Sequence, residues 1–321
     1  MVILPLFIAT LNKLHTRSMW LRIALTGCLL TFSCTVFSAN NDTILLVHDG
    51  KNDLVQDIIQ SLSQNLSSKS IHIDLLDAST QPLPDDAVLK NYISVITLGA
   101  QTAQIAIERN PPVSILSLLV SKQAWLLINP RKSAYSRSVI VLDQPISRQF
   151  LLVREIYGQN NHIGVLLGPY SSTLQTEFLD SARPQQNLSV KIIQNDEELI
   201  PALNNLIEQI DLLLAVPDPI VYNKRSIQGI LLLTYRNKTP VIGFSQAYSR
   251  AGAMVSLYSD ADNMAQQAAE LILDKAGNDR VYSPKYFSIS YNQQVARALG
   301  YTLPDEHEII DRIYQKEKLH Q

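Results

Sequence analysis

Cysteine is almost absent: only Cys28 and Cys34 carry thiols, and both lie in an apolar N-terminal segment. The rest of the chain therefore has no disulfide framework, no thiolate nucleophile and no cysteine-based metal site. Neither G-x-G-x-x-G nor G-x-x-x-x-G-K-[ST] occurs, so nothing supports nucleotide binding through a glycine loop. The histidines beyond residue 40, His48, His72, His162, His307 and His320, have no metal-ligand spacing, and neither a metal nor any other cofactor is expected. An excess of basic charge is missing too, with 27 basic against 29 acidic side chains, so the field that non-specific nucleic-acid binding needs is not there and no nucleic acid is expected as a partner. What is present is apolar material, 46% of 321 residues, enough for one large core or two ordinary ones.

Lys13, Arg17 and Arg22 precede the apolar run Ile23–Phe37, the small residues Ser38 and Ala39, and then the polar Asn40-Asn41-Asp42. This is the pattern of a secretory signal peptide over residues 1–39, and it predicts a periplasmic protein. A spanning helix needs roughly 20 apolar residues, and this run is shorter. A retained signal anchor stays open as the alternative, and Met19 is a second candidate start. Leu25-Thr26-Gly27-Cys28 resembles a lipoprotein box, but counted from Met19 it leaves too few apolar residues before Cys28. Without the leader the chain carries 24 basic and 29 acidic groups, a net charge of −5.

From Thr43 onward, short β-branched or leucine-rich runs alternate with helical stretches. The runs are continuously apolar, as strands buried on both faces are. Strands are expected at Ile44–His48, Ile71–Leu76, Ile93–Leu98, Val113–Leu119 and Val139–Leu142, with helices at Leu54–Leu66, Thr102–Arg109 and Gln123–Ile128. A second series follows: strands Ile163–Leu167, Val190–Ile193, Leu212–Val216 and Val241–Phe244, with helices Ser172–Ala182, Glu197–Gln209 and Val221–Tyr235. The fold class is α/β, two Rossmann-like lobes with parallel sheets facing a cleft. Residues 305–321 read as a polar tail with a short helical pattern.

In open parallel sheets ligands sit beyond the carboxyl ends of the strands. After Leu212–Val216 stands Pro217-Asp218-Pro219. Asp218 reads either as a carboxylate for an ammonium group or as the N-cap of a helix started by Pro219. After Ile163–Leu167 comes Gly168-Pro169-Tyr170-Ser171-Ser172-Thr173, a hydroxyl-rich turn whose free N–H groups suit an anion such as a carboxylate, or simply a capped helix start. Gly99-Ala100-Gln101-Thr102 is its counterpart in the first lobe. His48 reads as a cleft residue or a turn residue. Gly243-Phe244-Ser245-Gln246-Ala247 resembles a nucleophile elbow, and Asp274 and His307 follow in the hydrolase order, but the strand-like run Met254–Tyr258 leaves little room for the helix that the motif requires.

The stretch His162–Leu303, with Ile163-Gly164-Val165-Leu166, Val216-Pro217-Asp218-Pro219, Pro240-Val241-Ile242-Gly243-Phe244-Ser245, Arg250-Ala251-Gly252-Ala253 and Asn292-Gln293-Gln294-Val295-Ala296-Arg297, resembles the tryptophan/tyrosine-type family of ABC-transporter substrate-binding proteins. The resemblance implies a type I periplasmic-binding-protein fold, two lobes joined by hinge strands, with a first lobe of 40–142 plus 253–278 and a second of 143–252 plus 279–304. It implies that Met254–Ala276 returns to the first lobe. Beside Gly99, Gln101 and Thr102, the matching cleft positions are Tyr170, Ser171, Ser172, Asp218, Ser245 and Gln246. The first lobe departs from the family: His48-Asp49-Gly50-Lys51-Asn52-Asp53 stands where the family reads like Glu-His-Pro-Ala-Leu-Asp. Likewise, Leu118–Gln123 replaces a strand ending in Val-x-Asp-Pro. The expectation is a non-catalytic, monomeric solute-binding protein serving an ABC permease of the inner membrane and closing on a small polar solute, an amino acid or similar zwitterion. A sensor or partner-binding module of the same fold, and more remotely a serine hydrolase using Ser245, are the alternatives.

Overall fold

The computed structural model describes residues 42–50, 52–129, 133–182, 187–274 and 279–319, all within one compact unit, Ala39–Gln321. The leader, Met19, Cys28 and His320 lie outside the described residues. The first series runs β1 (Thr43–His48), α1 (Asp53–Ser67), β2 (His72–Asp77), α2 (Asp86–Leu89), β3 (Val95–Leu98), α3 (Ala100–Arg109), β4 (Ile115–Val120), α4 (Lys122–Ile128) and β5 (Arg137–Val141). The second runs α5 (Ile146–Tyr157), β6 (His162–Leu167), α6 (Leu174–Ser181), β7 (Asn187–Ile192), α7 (Leu199–Ile207), β8 (Leu212–Leu214), α8 (Ile227–Arg236), β9 (Val241–Gly243), α9 (Gln246–Ala251) and β10 (Val255–Tyr258). The chain then recrosses with α10 (Ala261–Leu273), β11 (Val281–Tyr282), β12 (Ser288–Tyr291), α11 (Gln293–Leu299) and α12 (Glu306–Lys318).

Each series makes one sheet of six strands, in the orders β11-β5-β4-β3-β1-β2 and β12-β10-β9-β8-β6-β7. All pairings are parallel except β10 with β12. The strands are continuously apolar because helices cover both faces; β1, β3 and β5 are buried at every position. Helix α1 shows how the covering layer forms. Asn52 caps it by accepting from the Val55 N–H, and Val55, Ile58, Leu62 and Leu66 recur every three or four residues to face the sheet. Among the described residues no helix is long and apolar enough to cross a membrane.

The crossings differ from expectation. The run Met254–Tyr258 stays in the second sheet as β10, with Val255 opposite both Ile242 and Tyr291. The return to the first lobe therefore follows Tyr258, where α10 packs on α1, and extends to β11, which pairs with β5. A mostly apolar, buried strand fits either sheet, so only the pairing fixes its lobe. Helix α5 was not anticipated because its N-cap position is Pro145, which offers no side-chain acceptor. The described part of the tail, residues 305–319, is not merely solvated. Asp305 caps α12 by accepting from His307 and Glu308 N–H, and Ile309 and Ile313, one turn apart, are wholly buried against the second lobe.

Side chains tie the three crossing segments together. Gln144 Nε2 donates to Ser259 Oγ at 2.9 Å, and Ser259 Oγ donates to the Tyr286 carbonyl at 2.6 Å. Behind them lies the buried guanidinium of Arg148. It holds Glu317 bidentately at 2.7 and 2.9 Å, donates to Gln144 Oε1 and the Pro284 carbonyl, and stacks over the Phe287 ring. Glu155, largely buried, takes Lys316 and Arg312 of α12 in the same way.

Candidate functional site

The second lobe offers its strand ends β6 and β8, which flank the point where strand order reverses. Asp218 joins their two loops and is only 2% exposed. Its Oδ2 accepts from Tyr170 N at 3.1 Å, Ser171 N at 2.9 Å and Ser171 Oγ at 2.8 Å. Its Oδ1 accepts from Ile220 N at 2.9 Å and Val221 N at 3.3 Å. Ser171 Oγ also accepts from Gly168 N at 3.0 Å. Asp218 caps no helix, because α8 begins only at Ile227 behind Ser226; its carboxylate instead holds the turn at 219–221 and the loop after β6 together. A Cβ on Gly168 would meet Asp218 Oδ1 at 2.4 Å, so residue 168 has no side chain for a steric reason.

The first lobe contributes the turn after β4. Ser121 caps α4, its Oγ accepting from Ala124 N at 3.2 Å. The Lys122 N–H donates to Asp143 Oδ2 at 2.6 Å, so the first crossing segment is tied to the same helix start. Burial pushes the Asp143 carboxyl above the usual carboxylate range, with Glu177 adding to the rise, while its hydrogen bond from Lys122 N–H, one from its own backbone N–H and the Lys122 charge oppose it. Buried Trp125 anchors α4 to its lobe.

Between these parts lies a cavity of about 610 Å³. Its first-lobe wall is Ser121–Ala124, Leu126, Leu127 and Asp143; its second-lobe wall is Tyr170, Ser171, Thr173, Leu174, Glu177, Pro217–Pro219, Tyr222 and Phe244. A smaller cavity of about 210 Å³ adjoins it at the crossings and shares Lys122, Asp143, Leu174, Glu177, Pro217 and Phe244. Among the described residues two polar contacts join the walls across the cavity: Lys122 Nζ with Glu177 Oε2 at 2.8 Å, and Thr173 Oγ1 with Gln123 Oε1 at 3.0 Å. Leu126 and Leu127 are 57% and 63% exposed, and Tyr170 is 50% exposed, so the rim is apolar. Tyr222 meets Phe244 edge to face at 6.0 Å. The Tyr222 hydroxyl is buried with no hydrogen-bond partner among the described residues, and burial holds it well above the ordinary tyrosine range.

Of the nine residues expected in the cleft, Tyr170, Ser171 and Asp218 line this cavity and the other six do not. Thr102 is fully buried and gives its hydroxyl to the Leu98 and Gly99 carbonyls, while Gly99 and Gln101 stand with it at the start of α3, behind β3 rather than β4. Ser172 donates to the Pro169 carbonyl. Gln246 is exposed and takes Arg250. His48 bonds the Gly50 carbonyl inside its own turn. Ser245 does precede a helix, α9, but its backbone is extended at φ −156°, ψ 157° rather than strained as at a nucleophile elbow. Among the described residues no hydrogen bond joins it to Asp274 or His307, both exposed. Lys122, Asp143 and Glu177 were missed. The first two directly follow the ends of β4 and β5, and that position was the available signal.

No family model matches the chain, and no curated protein matches it. Solved structures do. The ligand-free, open structure of a substrate-binding protein with adhesive properties from Clostridium difficile superposes with a TM-score of 0.64 at 15% identity, over 82% of this chain and 96% of that one. A conserved domain protein from Vibrio cholerae gives 0.56 at 19% identity, over 85% and 98%. An ABC domain in complex with L-Trp from Streptococcus pneumonia gives 0.55 at 14% identity, over 84% and 98%. The first is a substrate-binding protein and the third holds L-Trp, and at these identities the likeness concerns architecture. With two sheets of matching strand order, three crossings and a cavity between, the chain has a type I periplasmic-binding-protein-like fold.

Proposed function

We propose that this protein is a non-catalytic, exported solute-binding component of an ABC import system, enclosing one small solute between its lobes and delivering it to an inner-membrane permease. The observation that carries the reading is the cavity itself: about 610 Å³, at the carboxyl ends of strands from both sheets. It lies in the range of small-molecule sites, and its walls mix apolar side chains with a few polar ones. The Lys122–Glu177 and Gln123–Thr173 contacts give a closed form that hinge opening would release. Export is supported by the signal-peptide pattern of residues 1–39.

The test is thermal unfolding of the purified protein against a panel of amines, amino acids, sugars, purines and short peptides. A ligand at 100 times its Kd adds roughly 2.7 kcal/mol to the stability of the folded state. A shift with one class, lost in Leu127→Arg, supports solute binding in the cleft. No shift with any compound refutes it and turns the assignment to a sensor or partner-binding module of the same fold.

A further inference from the structure

We infer that the solute is an amine with an apolar or aromatic body and no carboxylate, held through its ammonium group by Asp143. The inference rests on the reading of the cavity as a solute site and goes on to name the chemistry of the solute.

The argument starts from the N–H groups that an anion would use. In the second lobe, Tyr170 N, Ser171 N, Ile220 N and Val221 N already give their hydrogens to Asp218, and Gly168 N gives its own to Ser171 Oγ. In the first lobe, Lys122 N is committed to Asp143 and Ala124 N to Ser121 Oγ. The two second-lobe loops and the start of α4 have therefore spent these donors on the protein's own acceptors. The zwitterion expected from the sequence loses its carboxylate site here.

Charge points the same way. Among the described lining residues the charged groups are Lys122, Asp143, Glu177 and Asp218, and no arginine or histidine lines either cavity. Lys122 is paired with Glu177, and Asp218 is filled by five donors. That leaves Asp143, facing both cavities from the crossing segment, as the carboxylate with no cationic partner of its own. A ligand carboxylate would have to take Lys122 from Glu177 and strand that side chain beside Asp143. An ammonium group instead supplies Asp143 with the opposite charge and hydrogen-bond donors, a charge-assisted pair in an enclosed site.

The rest of the cavity suits the remainder of such a molecule. Leu126, Leu127, Leu174 and Phe244 form an apolar wall.

The experiment is isothermal titration calorimetry of the purified protein with tryptamine and tyramine, beside L-tryptophan, L-tyrosine and the uncharged tryptophol. Amines are expected to bind at least about tenfold more tightly than the matching amino acids, a difference of roughly 1.4 kcal/mol. Asp143→Asn, which keeps an acceptor for the Lys122 N–H, is expected to weaken the amines by about tenfold or more and to leave tryptophol unchanged. Glu177→Gln frees the Lys122 ammonium and is expected to narrow the preference by admitting the amino acids. Amino acids binding more tightly than amines, or amine binding indifferent to Asp143→Asn, would overturn the inference. If only other members of the unfolding panel bind, and Leu127→Arg abolishes that binding, the cleft is a solute site and the amine assignment alone falls. If nothing binds, both fall.

Discussion

Replacing Asp218 by alanine separates two roles that one carboxylate can play. The substitution removes the acceptor of five hydrogen bonds at once. Tyr170 is half exposed and Ile220 partly so, and water can reach their N–H groups. The Ser171 hydroxyl can turn to another acceptor. The Ser171 N–H keeps the Gly168 carbonyl at 3.2 Å, whereas the N–H of buried Val221 stays unsatisfied at a cost of roughly 1–3 kcal/mol. The loss is about 2 kcal/mol, or a fall in Tm of roughly 4–6 °C for a chain of this size. Asp218→Asn keeps one acceptor oxygen and should fall between the two. The assay is thermal unfolding by circular dichroism, repeated in urea, with ligand affinity measured on whatever remains folded. A variant that unfolds within about 1 °C of the parent yet loses affinity would refute the argument that Asp218 holds the two loops and restore it as a ligand-binding group.

Gly168→Ala places a Cβ 2.4 Å from Asp218 Oδ1, and a loss of about 2 kcal/mol or more is expected in urea unfolding. Ile313→Ala empties a wholly buried position under α12 and should cost roughly 2–5 kcal/mol, whereas a solvated tail would cost nothing measurable. Arg148→Ala strands Glu317, which is 18% exposed, and is expected to cost about 3 kcal/mol by thermal unfolding, with Glu317→Gln milder because its amide oxygen still accepts. Asp143→Asn should raise the Tm of the ligand-free protein at neutral pH. Burial lifts the folded-state pKa of Asp143, so ionisation costs the native state stability as pH rises from the ordinary aspartate value of about 3.9 through the raised one. The gain should vanish below that ordinary value, and Tm measured against pH reads it.

The sequence made the strands legible because sheets covered on both faces demand continuous apolar runs, and β1 to β9 appear where those runs stand, within a few residues. It did not make lobe membership legible. Val255–Tyr258 is mostly apolar and buried and would fit either sheet, and its place depends on Ile242 and Tyr291, far away in the chain. Nor did it show α12 docking, because Ile309 and Ile313 sit among charged neighbours and only their one-turn spacing marks a buried stripe. At the site, Tyr170, Ser171 and Asp218 were found by the rule that ligands lie beyond strand ends. The symmetry argument that offered Gly99, Gln101 and Thr102 failed, since the lobes do not face each other strand for strand. The first lobe turns its β4 and β5 ends to the cavity, while the second uses β6, β8 and β9.

The hydrogen-bonded chain from Gln144 through Ser259 to the Tyr286 carbonyl has a mechanical consequence. Three separate connectors could twist or slide independently, and the lobes would then wander over many relative orientations. Linked side by side, they behave as a single flat spring that bends easily in one direction and resists shear and torsion. Opening and closing then follow essentially one coordinate, so a distance measured across the cleft during ligand titration should exchange between two populations and not drift through a continuum.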